Sequence, residues 1–113
     1  MIKEAYCSYE VSKLLKEKGM DKKYFTYYIQ KNNTDGTSEA ITTCTHQMAM
    51  AWLREVHHIA INIGWGEIFE DQYKWWSIVL NMDSGDILCE YDYHISYEQS
   101  CEAAIKNCLE KLI

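Results

Sequence analysis

An α+β fold, with helices on one face of an antiparallel sheet, is predicted by three features of this sequence. Three segments carry apolar residues at helical spacing behind good N-cap residues. Residues 57–65 alternate in polarity, and two apolar runs flank the turn Asp83-Ser84-Gly85-Asp86. The 113 residues are enough for one domain spanning 1–113, and 48% hydrophobic content is too high for a disordered chain. Proline is absent, so the chain holds no polyproline segment.

The predicted order is α-β-(β)-α-β-β-β-α, a three-stranded C-terminal meander plus an N-terminal strand. Ser8 caps the first helix, Val11, Leu14 and Leu15 form its apolar stripe, and Gly19 suits its left-handed end. Aromatic and β-branched content makes 24–30 a strand, ending in the turn-forming run Asn32-Asn33-Thr34-Asp35-Gly36. A short return strand at 41–44 carries only a weak signal. Thr43 or Thr45 caps a second helix over 46–56, with Met48, Ala49, Trp52, Leu53 and Val56 inward.

In the strand that follows, His57, Ile59, Ile61, Ile63 and Trp65 point one way, and Gly64-Trp65-Gly66 ends or bends it before an acidic loop at 67–72. Strands 73–82 and 87–95 form a hairpin, the second with Ile87, Cys89, Tyr91, Tyr93 and Ile95 on one face. Ser96 and Gln99 make a capping box ahead of Cys101, Ala104, Ile105, Cys108, Leu109 and Leu112.

Charge is distributed unevenly along the chain. Residues 1–31 hold seven Lys against four acids, while 32–113 hold four cations against thirteen acids. The acidic majority would be repelled by a polyanion, which excludes a general duplex-binding role. The Lys-rich start reads as a solvated helix face; Lys22, Lys23 and Arg54 are the candidate contacts for a small anion. The first residues lack a signal-peptide core, and no run of 18 apolar residues could span a membrane. Five Cys with no CxxC spacing indicate reduced, buried thiols in a cytoplasmic protein.

No residue pattern calls for a cofactor, a metal or a catalytic group. Cys44 and His46 stand two apart, matching no standard zinc spacing, and His57-His58 would point to opposite strand faces. Glu90, Asp92 and His94 line one face of the last strand, as a plain polar outer face also would. The aromatic residues say more. If Trp76, Ile78, Leu80 and Met82 face the core, the outer face presents Tyr24, Tyr28, Tyr73, Trp75, Val79 and Leu88, a candidate binding surface. In the inverse register Trp75 is buried instead.

The stretches Gln47–His57, Ser96-Tyr97-Glu98 onward to Leu109–Ile113, and Val11–Gly19 resemble a group of short proteins encoded by bacteriophages and mobile elements of gut bacteria. About a third of the chain carries that resemblance. It implies a small accessory protein acting inside an infected bacterium, by inhibiting host enzymes or defence signalling. Together these readings predict a non-enzymatic, homo-oligomeric module that engages a host protein. The alternatives are sequestration of a small nucleotide signal and, third, a small hydrolase.

Overall fold

The computed structural model describes residues 5–113, apart from the side chains of residues 68 and 91–93. Helix α1 (Tyr9–Glu17) is followed by a 3-10 turn (Lys22–Tyr24), strands β1 (Tyr27–Asn32) and β2 (Ser38–Thr43), and helix α2 (His46–His57). Strands β3 (Ile59–Phe69), β4 (Gln72–Asn81) and β5 (Ile87–His94) come next, then α3 (Tyr97–Asn107) and a π-helical turn (Cys108–Leu112). The fold is α+β, in the predicted element order.

The three expected caps form. Ser8 accepts from the Val11 N–H, Thr45 from Met48 and Ser96 from Gln99, each satisfying a donor that a helix start leaves unpaired. Gln99 completes a capping box displaced by one residue, its Oε1 accepting from the Ile95 N–H. Helix α2 ends on His58 in the left-handed conformation, at φ 54°.

Among the described residues all strand pairing is antiparallel, in two sheets. β1 and β2 form a separate hairpin, with the weakly signalled return strand running over Ser38–Thr43, and β3-β4-β5 form the meander with β4 central. The N-terminal segment is fixed by its own short bridge, in which the Cys7 N–H donates to Cys44 O (2.9 Å) and the His46 N–H to Ala5 O (3.0 Å). Tyr6 thereby pairs with Thr45. A single core joins these parts through Val11, Leu15, Leu53, Val79, Ile105 and Leu109, all fully buried.

The register of β4 corrects one expectation. Ile59, Ile61 and Ile63 face the helices as predicted, and Ile61 lies opposite Val79 and Ile63 opposite Ser77. Directly opposed residues share a sheet face, so Val79 and Ser77 turn inward and are fully buried. Trp76, Ile78 and Leu80 take the outer face, half-buried. The reason lies in α3, whose inward side chains include the small Ser100, Cys101 and Ala104. A slim helix face approaches the sheet closely and favours slim partners such as Ser77 and Val79.

Register shifts between Val79 and Leu80 pair Cys89 with Val79 but Ile87 with Leu80. Cys89 therefore reaches the core, whereas Ile87 is exposed, as is Ile95 beyond the strand end. The expected facing of Tyr91, Asp92 and Tyr93 lies outside the described residues.

The expected acidic loop is mostly strand. β3 continues past Gly64 and Gly66, and only Glu70 and Asp71 separate it from β4. Asp71 takes φ 60°, as tight hairpin turns require, and its N–H donates to Glu67 Oε1. The outcome is a projecting β3–β4 arm. The radius of gyration, 15.1 Å, exceeds the roughly 13 Å of a compact chain this long.

Candidate functional site

The residues expected on one outer sheet face do not form one surface. Val79 belongs to the core. Tyr24 sits in the 3-10 turn, where it helps line a groove of about 130 Å³ with Met20, Met48, Trp52 and Val56. The strand expected to carry it begins only at Tyr27, because Asp21 caps the turn by accepting the Lys23 N–H. Tyr28 is 74% exposed on the separate β1–β2 hairpin. Leu88 lines a different cleft of about 480 Å³, with His57, His58, Asn81, Asp83, Leu112 and Ile113.

Tyr73 and Trp75 do share a face, and it is the helix-facing one. Trp75 is half-buried, its ring meeting Tyr97 of α3 edge-on at 5.4 Å. Tyr73 lies two residues farther out, and there its ring stacks on Trp65 of β3 at 4.9 Å and 19°. Trp65 is 57% exposed and Tyr73 50%. Phe69, at the arm's end, is also exposed. The arm thus carries the core-facing side of the sheet outward and presents aromatic rings there. Alternation puts Trp65 on the same side as Ile59, Ile61 and Ile63, but the position of the strand relative to the helices leaves it exposed, and sequence does not give that position.

Of the candidate anion contacts, Arg54 is set among carboxylates. Arg54 Nε lies 3.6 Å from Glu55 Oε1, and the pocket beside it of about 350 Å³ is also lined by Asp83. Asp83 itself accepts from His58 Nδ1 at 3.1 Å. Lys23 rests its ammonium 5.1 Å over the Tyr24 ring, and Lys22 is exposed.

A second constellation, not recognised from the sequence, lies in the interior. Cys7, His46 and Glu102 bring a sulfur, an imidazole nitrogen and a carboxylate oxygen within 4.8 Å of one another. Three elements position them. The Tyr6–Thr45 bridge sets Cys7 opposite Cys44, the Thr45 cap makes His46 the first residue of α2, and α3 supplies Glu102.

Glu102 Oε1 accepts the Ser8 N–H at 3.0 Å, and Oε2 lies 2.5 Å from His46 Nε2. Burial works to raise the Glu102 carboxyl, but the His46 and Ser8 hydrogen bonds outweigh it and hold it below the ordinary carboxylate range. An ionised carboxylate only accepts, which assigns the Nε2 proton to His46. The other ring nitrogen, Nδ1, is buried and has no hydrogen-bond partner among the described residues. The Cys7 thiol is pushed well above its usual range by its hydrogen bond with Cys44 and by burial. Its contact with Thr45 O is a long 3.8 Å.

These thiols are closed to substrates, since Cys7 and Cys44 are at most 1% exposed. His94 lies opposite Trp75, half-buried, and its Nε2 has no partner among the described residues. Among the described residues no helix is long and apolar enough to cross a membrane. Comparison with protein-family models, with curated proteins and with solved structures returns no match for this chain.

Proposed function

We propose that this protein is a non-enzymatic interaction module that pairs with a second copy of itself through the β3–β4 arm. The observation that carries this reading is the Trp65–Tyr73 stack, half-exposed beyond the reach of α3. Large aromatic rings at a solvent boundary are the side chains that most often dominate binding energy, and they lose little conformational entropy on docking.

Charge favours a second copy as the occupant. The arm carries Glu67, Glu70 and Asp71 against Lys74, while α1 and the following turn carry Lys13, Lys16, Lys18, Lys22 and Lys23 against Glu10, Glu17 and Asp21. An acidic arm on one subunit and a basic surface on the other attract. Reciprocal docking about a two-fold axis satisfies both subunits and closes the assembly. In the setting implied by the phage-type resemblance, such a dimer engages a host protein as an inhibitor or anti-defence factor. Sequestration of a nucleotide has less support, because Glu55 and Asp83 surround Arg54 with negative charge.

Sedimentation velocity across a concentration series tests the pairing. Wild-type protein sediments above the 13.3 kDa of one chain, and added salt weakens the association. Trp65→Ala and Tyr73→Ala shift it toward monomer. A wild type that stays monomeric at every concentration overturns the proposal, as does a dimer indifferent to both substitutions.

A further inference from the structure

We propose that Cys7, His46 and Glu102 form a binding site for one divalent cation of the zinc class. This goes beyond the pairing reading and rests on different residues. A sulfur, an imidazole nitrogen and a carboxylate oxygen make up the donor range that zinc accepts, whereas calcium and magnesium take oxygen almost exclusively. Four-coordinate zinc, with bonds of about 2.0–2.3 Å, keeps its donors roughly 3.3–3.8 Å apart. The three donors already lie within 4.8 Å of one another, so side-chain adjustments on the order of 1 Å suffice to close the site.

Two features argue that this is more than a buried ion pair with inert thiols around it. First, His46 is 95% buried, yet among the described residues its Nδ1 has no partner. Buried polar atoms are nearly always satisfied, and each exception calls for an explanation such as an ion. Second, the segments that carry these side chains are set before any ion arrives. Cys7 is pinned by the backbone bridge to 44–46, and Glu102 by the Ser8 N–H on Oε1. Oε2 accepts the His46 Nε2–H and so orients the imidazole, as carboxylates beside metal-binding histidines do.

Glu102, with 27% of its side chain exposed, offers the route in. The enclosed thiols make the site structural in character, and the cation would tie the N-terminal segment to α2 and α3.

The test is titration of reduced, chelator-treated protein with cobalt(II) and then zinc(II). One equivalent of cobalt should bind and give a sulfur-to-cobalt charge-transfer absorption with tetrahedral visible bands, and zinc should displace it and raise the Tm. Cys7→Ser should abolish the charge-transfer band. Glu102→Gln should weaken binding about 10- to 100-fold. Cys108→Ser, which alters a buried thiol facing Cys89, should leave the titration unchanged.

A wild type that takes up no cobalt, or takes it up without the sulfur band, overturns the proposal. So does an unaltered spectrum in folded Cys7→Ser. Circular dichroism establishes folding, and if that variant is unfolded the wild-type spectrum together with Glu102→Gln decides.

Discussion

The Trp76 indole lies flat over Gly64, its cross-strand neighbour, occupying the space where any other residue would carry a side chain. A Cβ built on Gly64 would stand 1.9 Å from Trp76 Cζ2 and 2.3 Å from Cε2, far inside contact distance. The ring shields a strand position that glycine otherwise leaves bare, which is how β3 continues where glycine would weaken it. Gly64→Ala must therefore displace a rigid ring, and should lower stability by about 1–3 kcal/mol. Gly66→Ala meets Trp76 Nε1 at an ordinary 3.7 Å and should be tolerated. Urea midpoints of the two variants decide; equal midpoints would remove the Trp76–Gly64 packing from the account.

A buried hydroxyl relay joins α1 to β2. Ser12 Oγ and Thr43 Oγ1 are 2.6 Å apart, both side chains fully buried, and Thr43 Oγ1 also donates to Cys7 O at 2.9 Å. Thr43→Val keeps the shape but strips a buried carbonyl and a buried hydroxyl of their partner. The expected loss is about 1–3 kcal/mol, the desolvation left uncompensated. Denaturant unfolding measures it, and a neutral result would mean that other groups satisfy those atoms.

Local chemistry was legible and long-range packing was not. Ser8, Thr45 and Ser96 announce their helices because a cap depends only on residues three positions away. The strand over Ile59, Ile61 and Ile63 was legible because its two faces differ in polarity. β4 gave no such signal, since Trp75 and Val79 on one face and Trp76, Ile78 and Leu80 on the other are equally apolar. Its register follows from pairing with β3 and from the small residues of α3. Likewise the partners of His46 are invisible along the chain: Glu102 is 56 residues away, and Cys7 reaches it only through the bridge to Thr45.

Ser100 makes the opposite prediction from Thr43. It lies mid-way along α3, fully buried, and its hydroxyl has no hydrogen-bond partner. Removing an unpaired buried hydroxyl relieves its desolvation, and alanine is the better helix former by a few tenths of a kcal/mol. Ser100→Ala should therefore be neutral to stabilising, by up to about 1 kcal/mol. A rise or constancy in Tm is expected. A clear fall would reveal a partner, such as an enclosed water, that the hydroxyl holds.

The Cys101 and Cys108 thiols should resist both alkylation and alkali. Burial pushes Cys101 up to about 11, and burial followed by the neighbouring Cys89 pushes Cys108 up to about 12. At pH 8 the reactive thiolate fraction is then on the order of one in a thousand for Cys101 and less for Cys108. Cys89 is only half-buried, although Asn107 Nδ2 donates to its sulfur at 3.0 Å. Iodoacetamide should thus modify Cys89 first, and Cys101 and Cys108 only after unfolding. The linkage sign follows from folded-state values raised above the ordinary 9.0. The two thiols contribute stability fully below about pH 9, and lose it as pH climbs through about 11 and 12. Peptide mapping by mass spectrometry checks the order of labelling, and unfolding between pH 8 and 12 checks the sign. Native labelling of Cys101 as fast as Cys89 would contradict its place between α3 and the sheet.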